Sequence, residues 1–149
     1  MANKNVVTVK ADMGGVAEKL KELGPKLARR GLRKAFNTVG DYWVPEVQQR
    51  APVLLGDLRN SIIKKVKTRK NKEGDVGWSV EVGPAMNAPR TDGKDSVGPG
   101  IYAMWVEFGL KKIYPKQPFM RPTFDATSEK VVKLFSETLK EALEEIAKE

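Results

Sequence analysis

The sequence contains no cysteine and no histidine. Without cysteine there is no disulfide, no thiol nucleophile, no iron–sulfur cluster and no thiolate zinc site. Without histidine the usual general base, the Ser-His-Asp triad and nearly all transition-metal sites go as well. Carboxylates, lysine, tyrosine and the hydroxyl residues are the only reactive side chains left. No stretch approaches the roughly 18 consecutive apolar residues of a membrane span. The start, Met1 to Asn5 followed by a short valine-rich run, lacks the apolar region of a signal peptide. The missing cysteine fits a reducing compartment. These absences predict a soluble, intracellularly made protein without a membrane partner.

What is present suits one domain. The chain has 149 residues, 40% hydrophobic and 31% charged, enough to bury a core without covalent staples. Its net charge is +8, unevenly spread. Residues 1–72 carry 17 basic and 6 acidic side chains, a net +11, whereas residues 73–149 carry 10 and 13, a net −3. Such asymmetry offers complementary charge for head-to-tail contact between copies, or a basic face for nucleic acid. A merely solvated, uneven surface is the plain alternative.

Periodicity gives the elements. Val6-Val7-Thr8-Val9 reads as a strand or extended arm within residues 1–10. Val16, Leu20 and Leu23 share one face of a short helix, which Gly24-Pro25 ends. A long helix follows from near Pro25, with Leu27, Gly31 or Leu32, Ala35, Val39 and Tyr42 or Trp43 along its apolar stripe. Pro45 predicts a bend near Val44 and a fresh last turn through Gln49. Residues 52–59 read as a tight connector. From Leu58 to Arg69 the pattern alternates like a strand, Asn71 to Gly74 marks a turn, and Val76 to Val82 alternates again, predicting an antiparallel hairpin. Residues 84–100, rich in proline and glycine, read as a long loop. Residues 101–109 suit either a strand or two helical turns, and Gly109 as a C-cap favours the short helix. A C-terminal helix starts near Arg121-Pro122, with Phe124, Val131, Phe135, Thr138 or Leu139, Ala142 or Leu143 and Ile146 inward. The whole, residues 1–149, reads as a single α+β domain.

Several clusters invite chemistry and fall short of it. Lys64, Lys65, Lys67, Arg69 and Lys70 crowd one strand, where they could lie along phosphates or simply protect an edge from aggregation. No aromatic residue interleaves with them, so there is no base-stacking platform. Asp92 and Asp95 lack the rest of a calcium loop. Glu107 sits among aromatic residues without a base, nucleophile or oxyanion donor beside it, and is expected to pair with an arginine such as Arg121. No catalytic, metal or cofactor site and no small-molecule substrate is expected.

Four segments occur in order: Ala51-Pro52; Gly56-Asp57-Leu58-Arg59-Asn60-Ser61-Ile62; Tyr102-Ala103-Met104-Trp105-Val106-Glu107-Phe108-Gly109; and Gln117-Pro118-Phe119-Met120-Arg121-Pro122. Together they resemble the head–tail joining, or tail-completion, proteins of long-tailed bacteriophages, the neck family that includes Z-like minor tail proteins. The resemblance runs over roughly residues 10–145 and implies helices packed on a small antiparallel sheet. It implies a non-catalytic virion protein that forms a homo-oligomeric ring at the neck, or head-proximal tail end, after assembly in the host cytoplasm. The ring would complete the tail and dock it to the DNA-filled head, beside neck or connector and tail-tube or terminator proteins. Pro52, Gly56, Leu58, Tyr102, Val106, Glu107, Gly109, Pro118, Phe119, Arg121 and Pro122 are the motif positions it marks for assembly. Two departures stand out: Leu110 replaces a small polar residue, and Pro45 falls in a helix usually continuous. A tail terminator capping tube polymerisation is the near alternative. A basic DNA-binding protein without sequence specificity is the distant one.

Overall fold

The computed structural model describes residues 15–53, 56–74, 76–86, 88, 98–113 and 115–149. The proposed arm over residues 1–10 and most of the 84–100 loop lie outside them. The ends of that loop belong to regular structure: Pro84 closes a strand, and Pro99 and Gly100 open a helix. In chain order the elements are α1 (Val16–Glu22), α2 (Gly24–Arg50), α3 (Asp57–Asn60), β1 (Ile62–Lys70), β2 (Val76–Pro84), α4 (Pro99–Phe108) and α5 (Met120–Ala147). β1 and β2 pair as a two-stranded sheet, so the fold is α+β. Among the described residues no helix is long and apolar enough to cross a membrane. Contacts divide the chain into two compact units, each discontinuous in sequence.

The first unit takes residues 1–40, 66–80 and 127–149. Gly24, at φ 76, turns the chain from α1 into α2 in a backbone conformation that suits glycine. Val16, Ala35, Leu139 and Leu143 are buried together, with Leu20, Leu23, Leu32 and Phe135 packed against them. A Cβ on Gly31 would lie 3.0 Å from a Leu143 methyl, so α2 and α5 approach closely there. Phe36 of α2 stacks on Trp78 of β2 at 6.0 Å and tilts onto Phe135 of α5 at 4.8 Å. Both long helices thus pack with the hairpin, as the family resemblance implies. Arg30 pairs with Glu149 at 2.8 Å and Lys34 with Glu145 at 2.6 Å. These exposed pairs contribute little stability. They do engage, within one chain, basic and acidic groups whose asymmetry suggested contact between copies.

The second unit takes residues 41–65 and 81–126. Trp43 meets Phe124 edge-on at 4.9 Å. The Ala85 N–H donates to the Ser61 carbonyl at 2.8 Å, setting the register at the hairpin base. Residues 57–60, read from sequence as the end of a connector and, from Leu58, the start of a strand, form instead a helical turn that packs on α4, and the strand begins only at Ile62. Gly56, at φ 78, supplies the sharp entry to it.

α2 does not restart at Pro45. It stays helical from Gly24 to Arg50 with the proline inside. A proline removes the hydrogen bond to the carbonyl four residues earlier, here that of Asp41. Asp41 and Pro45 both face solvent, where water can serve that carbonyl. The departure from the resembled family is therefore one of residue and not of helix.

Candidate assembly site

The motif segments meet in the second unit. Leu58 of α3 and Ala103 and Val106 of α4 are buried. Gly109, at φ 78, ends α4 as predicted, and the Gln117 N–H returns to donate to the Val106 carbonyl at 2.8 Å. The Glu107 carboxylate, itself buried, then accepts three backbone N–H groups. They come from Phe119 at 2.7 Å, Met120 at 3.0 Å and Arg121 at 3.0 Å. The first N–H groups of a helix have no partner inside it and carry partial positive charge. Glu107 therefore serves α5 as a cap supplied from another helix. Of the expected hydrogen bond or ion pair with Arg121, the hydrogen bond forms, and to the backbone nitrogen, while the Arg121 side chain faces solvent.

Other motif residues serve the same construction. Phe119 is almost fully buried, and its carbonyl accepts the Thr123 hydroxyl. Pro118 and Pro122 are exposed; Pro122 sits in the first turn of α5, where a missing N–H costs nothing. Pro52 and Tyr102 are half-buried, and the Ala51 carbonyl accepts the Arg59 guanidinium at 3.4 Å. Leu58, Val106, Glu107 and Phe119 thus position the surface rather than form it.

What α4 presents outward is apolar. Ile101, Met104 and Phe108 are 42%, 54% and 56% exposed. Their i, i+3, i+7 spacing makes one stripe opposite the buried Ala103 and Val106. Beyond Gly109 the turn Leu110–Ile113 closes with the Ile113 N–H on the Leu110 carbonyl at 2.9 Å. It holds Lys111 at φ 42, a left-handed conformation uncommon for a residue with a side chain. Ile113 stands 71% exposed there. The sequence analysis did not single out this stripe. Its signal was legible: apolar residues surround α4, and a helix apolar all round needs cover all round.

The basic strand sorts by alternation. Ile62, Lys64 and Val66 share the more buried side of β1, and Lys65, Lys67 and Arg69 lie exposed on the other. Lys64 pairs with Asp41 at 2.5 Å. It leaves the outward row, a correction to the five-residue patch. Lys70, exposed, follows the register of Lys64 at the far end of the strand.

A family model described as "Bacteriophage HK97-gp10, putative tail-component" matches residues 13–109. That span includes α1 to α4, the basic strand, the apolar stripe and the Glu107 cap. No curated relative and no solved structure matches the chain. With about two thirds of its length inside the match, the chain belongs to the bacteriophage HK97-gp10-like family of tail components.

Proposed function

We propose that this tail component is a non-catalytic structural protein of the virion neck. In this reading it forms a homo-oligomeric ring at the head-proximal end of the tail, completes the tail and docks it to the DNA-filled head. Its partners are copies of itself, the neck or connector proteins, and the tail-tube or terminator proteins. Assembly takes place in the host cytoplasm.

One observation carries the docking role in this reading. Within a tail-component family, α4 turns three large apolar side chains to solvent from a helix whose opposite side is locked into the core. Contiguous exposed apolar surface marks an interaction site. Placing it on a rigid, capped element favours a stable assembly contact over a transient one.

Interrupting the reading frame in the phage and imaging the lysate by electron microscopy tests this. Full heads beside separate tails of normal length are the expected outcome. Overlong tails would assign the chain to tube termination instead. Normal virions would overturn the assembly role.

A further inference from the structure

We infer that the outward stripe of α4 receives an acidic, amphipathic segment of a different protein chain, not a second copy and not DNA. The inference rests on the neck-assembly reading and names the chemistry of the partner at that surface.

Charge around the stripe argues for it. Between residues 98 and 124 the chain carries Lys111, Lys112, Lys116 and Arg121 and a single acid, Glu107. All four cations are exposed. Glu107 is buried, with its carboxylate turned to the backbone of α5. The one negative charge of residues 98–124 is thereby withdrawn from the surface, and the exposed charges left on this segment are cations, with Asp125 the next acid along the chain. A partner that covers Ile101, Met104 and Phe108 must bring apolar anchors. To avoid facing like charge it must bring carboxylates as well.

The turn after α4 supports a built surface. Lys111 is held in its left-handed conformation beside the most exposed large apolar side chain described, Ile113. Such backbone strain concentrates where a surface is used.

A second copy fits poorly: its exposed Ile63 and Met86 share a hollow with Lys65 as well as Glu81, which would set like charge against the lysines. The outward acids of α5, Glu137, Glu141 and Glu144, stand without one large exposed apolar residue among the described residues of that helix. They can answer the lysines and leave the stripe uncovered. DNA answers the lysines alone, since phosphates offer nothing to Ile101, Met104 and Phe108.

The test places a photo-crosslinkable phenylalanine analogue at Met104 during infection and identifies the adduct in joined particles by mass spectrometry. The expected adduct is a peptide of another virion protein in which Asp and Glu outnumber Lys and Arg. An adduct with another copy of this chain, an adduct with DNA, or none in joined particles overturns the inference. In parallel, the Lys111→Glu, Lys112→Glu, Lys116→Glu variant is expected to lower the yield of joined particles at least about tenfold with an unchanged melting temperature. The same reversal at Lys130 and Lys133 on α5 is expected to leave the yield intact; equal loss from both variants would overturn the inference. Normal virions from the interrupted frame would remove the neck reading itself. Joined particles with a self-adduct would remove only the partner.

Discussion

The carboxylate of Glu107 lies 2.7 Å from the backbone nitrogen of Phe119, twelve residues further along the chain. It reaches Met120 and Arg121 as well. One side chain at the end of α4 therefore fixes where a helix of 28 residues begins. Because three charge-assisted bonds converge on a buried group, the geometry is held more firmly than an exposed serine or threonine cap would hold it.

Glu107→Ala strands three N–H groups and is expected to cost about 3 kcal/mol. Glu107→Gln keeps an acceptor and should cost about half of that. Thermal melts check both, since each kcal/mol lowers the melting temperature by roughly 2–4 °C in a chain of this size. Identical melts for the Ala variant and the parent would show that α5 does not depend on the cap.

Two glycines separate a tolerable contact from an intolerable one. At Gly31 the new Cβ would stand 3.0 Å from the movable end of Leu143. Gly31→Ala also gains about 1 kcal/mol of helix propensity, so stability should stay within about 1 kcal/mol of the parent. At Gly100 the Cβ would fall 2.4 Å from the Met86 sulfur and 2.9 Å from its Cα. Backbone cannot step aside as a methyl can, so Gly100→Ala is expected to cost about 1–3 kcal/mol. Denaturant midpoints that rank the two variants the other way would contradict this packing.

The outward row of β1 sets an expectation for DNA. Replacing Lys65, Lys67 and Arg69 with glutamine should flatten the salt dependence of duplex binding, by about 0.9 in logarithmic slope per lost phosphate contact. Lys64→Gln should leave the slope alone, because that side chain pairs with Asp41. Equal slopes for all variants would detach DNA from this face.

Acid should release the pair at the end of α5. Hydrogen bonding and charge from Arg30 hold the Glu149 carboxyl below its ordinary range. A lowered folded-state pKa gives stability above the unfolded value, lost as pH falls through the folded one. The pair is fully solvated, so the effect on global stability is small. Titration of Glu149 followed by NMR in the parent and in Arg30→Gln should show the midpoint rising toward the ordinary carboxylate value in the variant. Coincident titrations would contradict the pairing.

Elements whose pattern is local were legible in the sequence. The stripe Val131, Leu139, Leu143 and Ile146 announced α5, and the alternation around Val80 announced β2, because burial repeats with the period of each element. Decisions made at a distance were hidden. Thr123 and Thr127 read as polar yet are buried, the former donating to the Phe119 carbonyl. Glu107 sat beside its motif neighbours with nothing to reveal that backbone N–H groups would claim it. Pro45 was expected to start a fresh last turn, whereas α2 runs on through it to Arg50. The stripe of Ile101, Met104 and Phe108 went unread, because a helix apolar on every side does not show from sequence which side stays uncovered.

The interleaving of the two units bears on how this protein can be dissected. The chain passes from one to the other after Gly40, Lys65, Val80 and Ala126, so no single cut yields either as a contiguous fragment. The portion that family comparison recognises stops at Gly109. Leu139 and Leu143, which complete the core around Val16 and Ala35, come from beyond it. A truncation built on the recognisable portion would keep Ile101, Met104 and Phe108 but lose the residues that complete the core around Val16 and Ala35. Loss of activity in such a fragment would report misfolding and say nothing about docking, so point substitutions on the surface are the tools this topology permits.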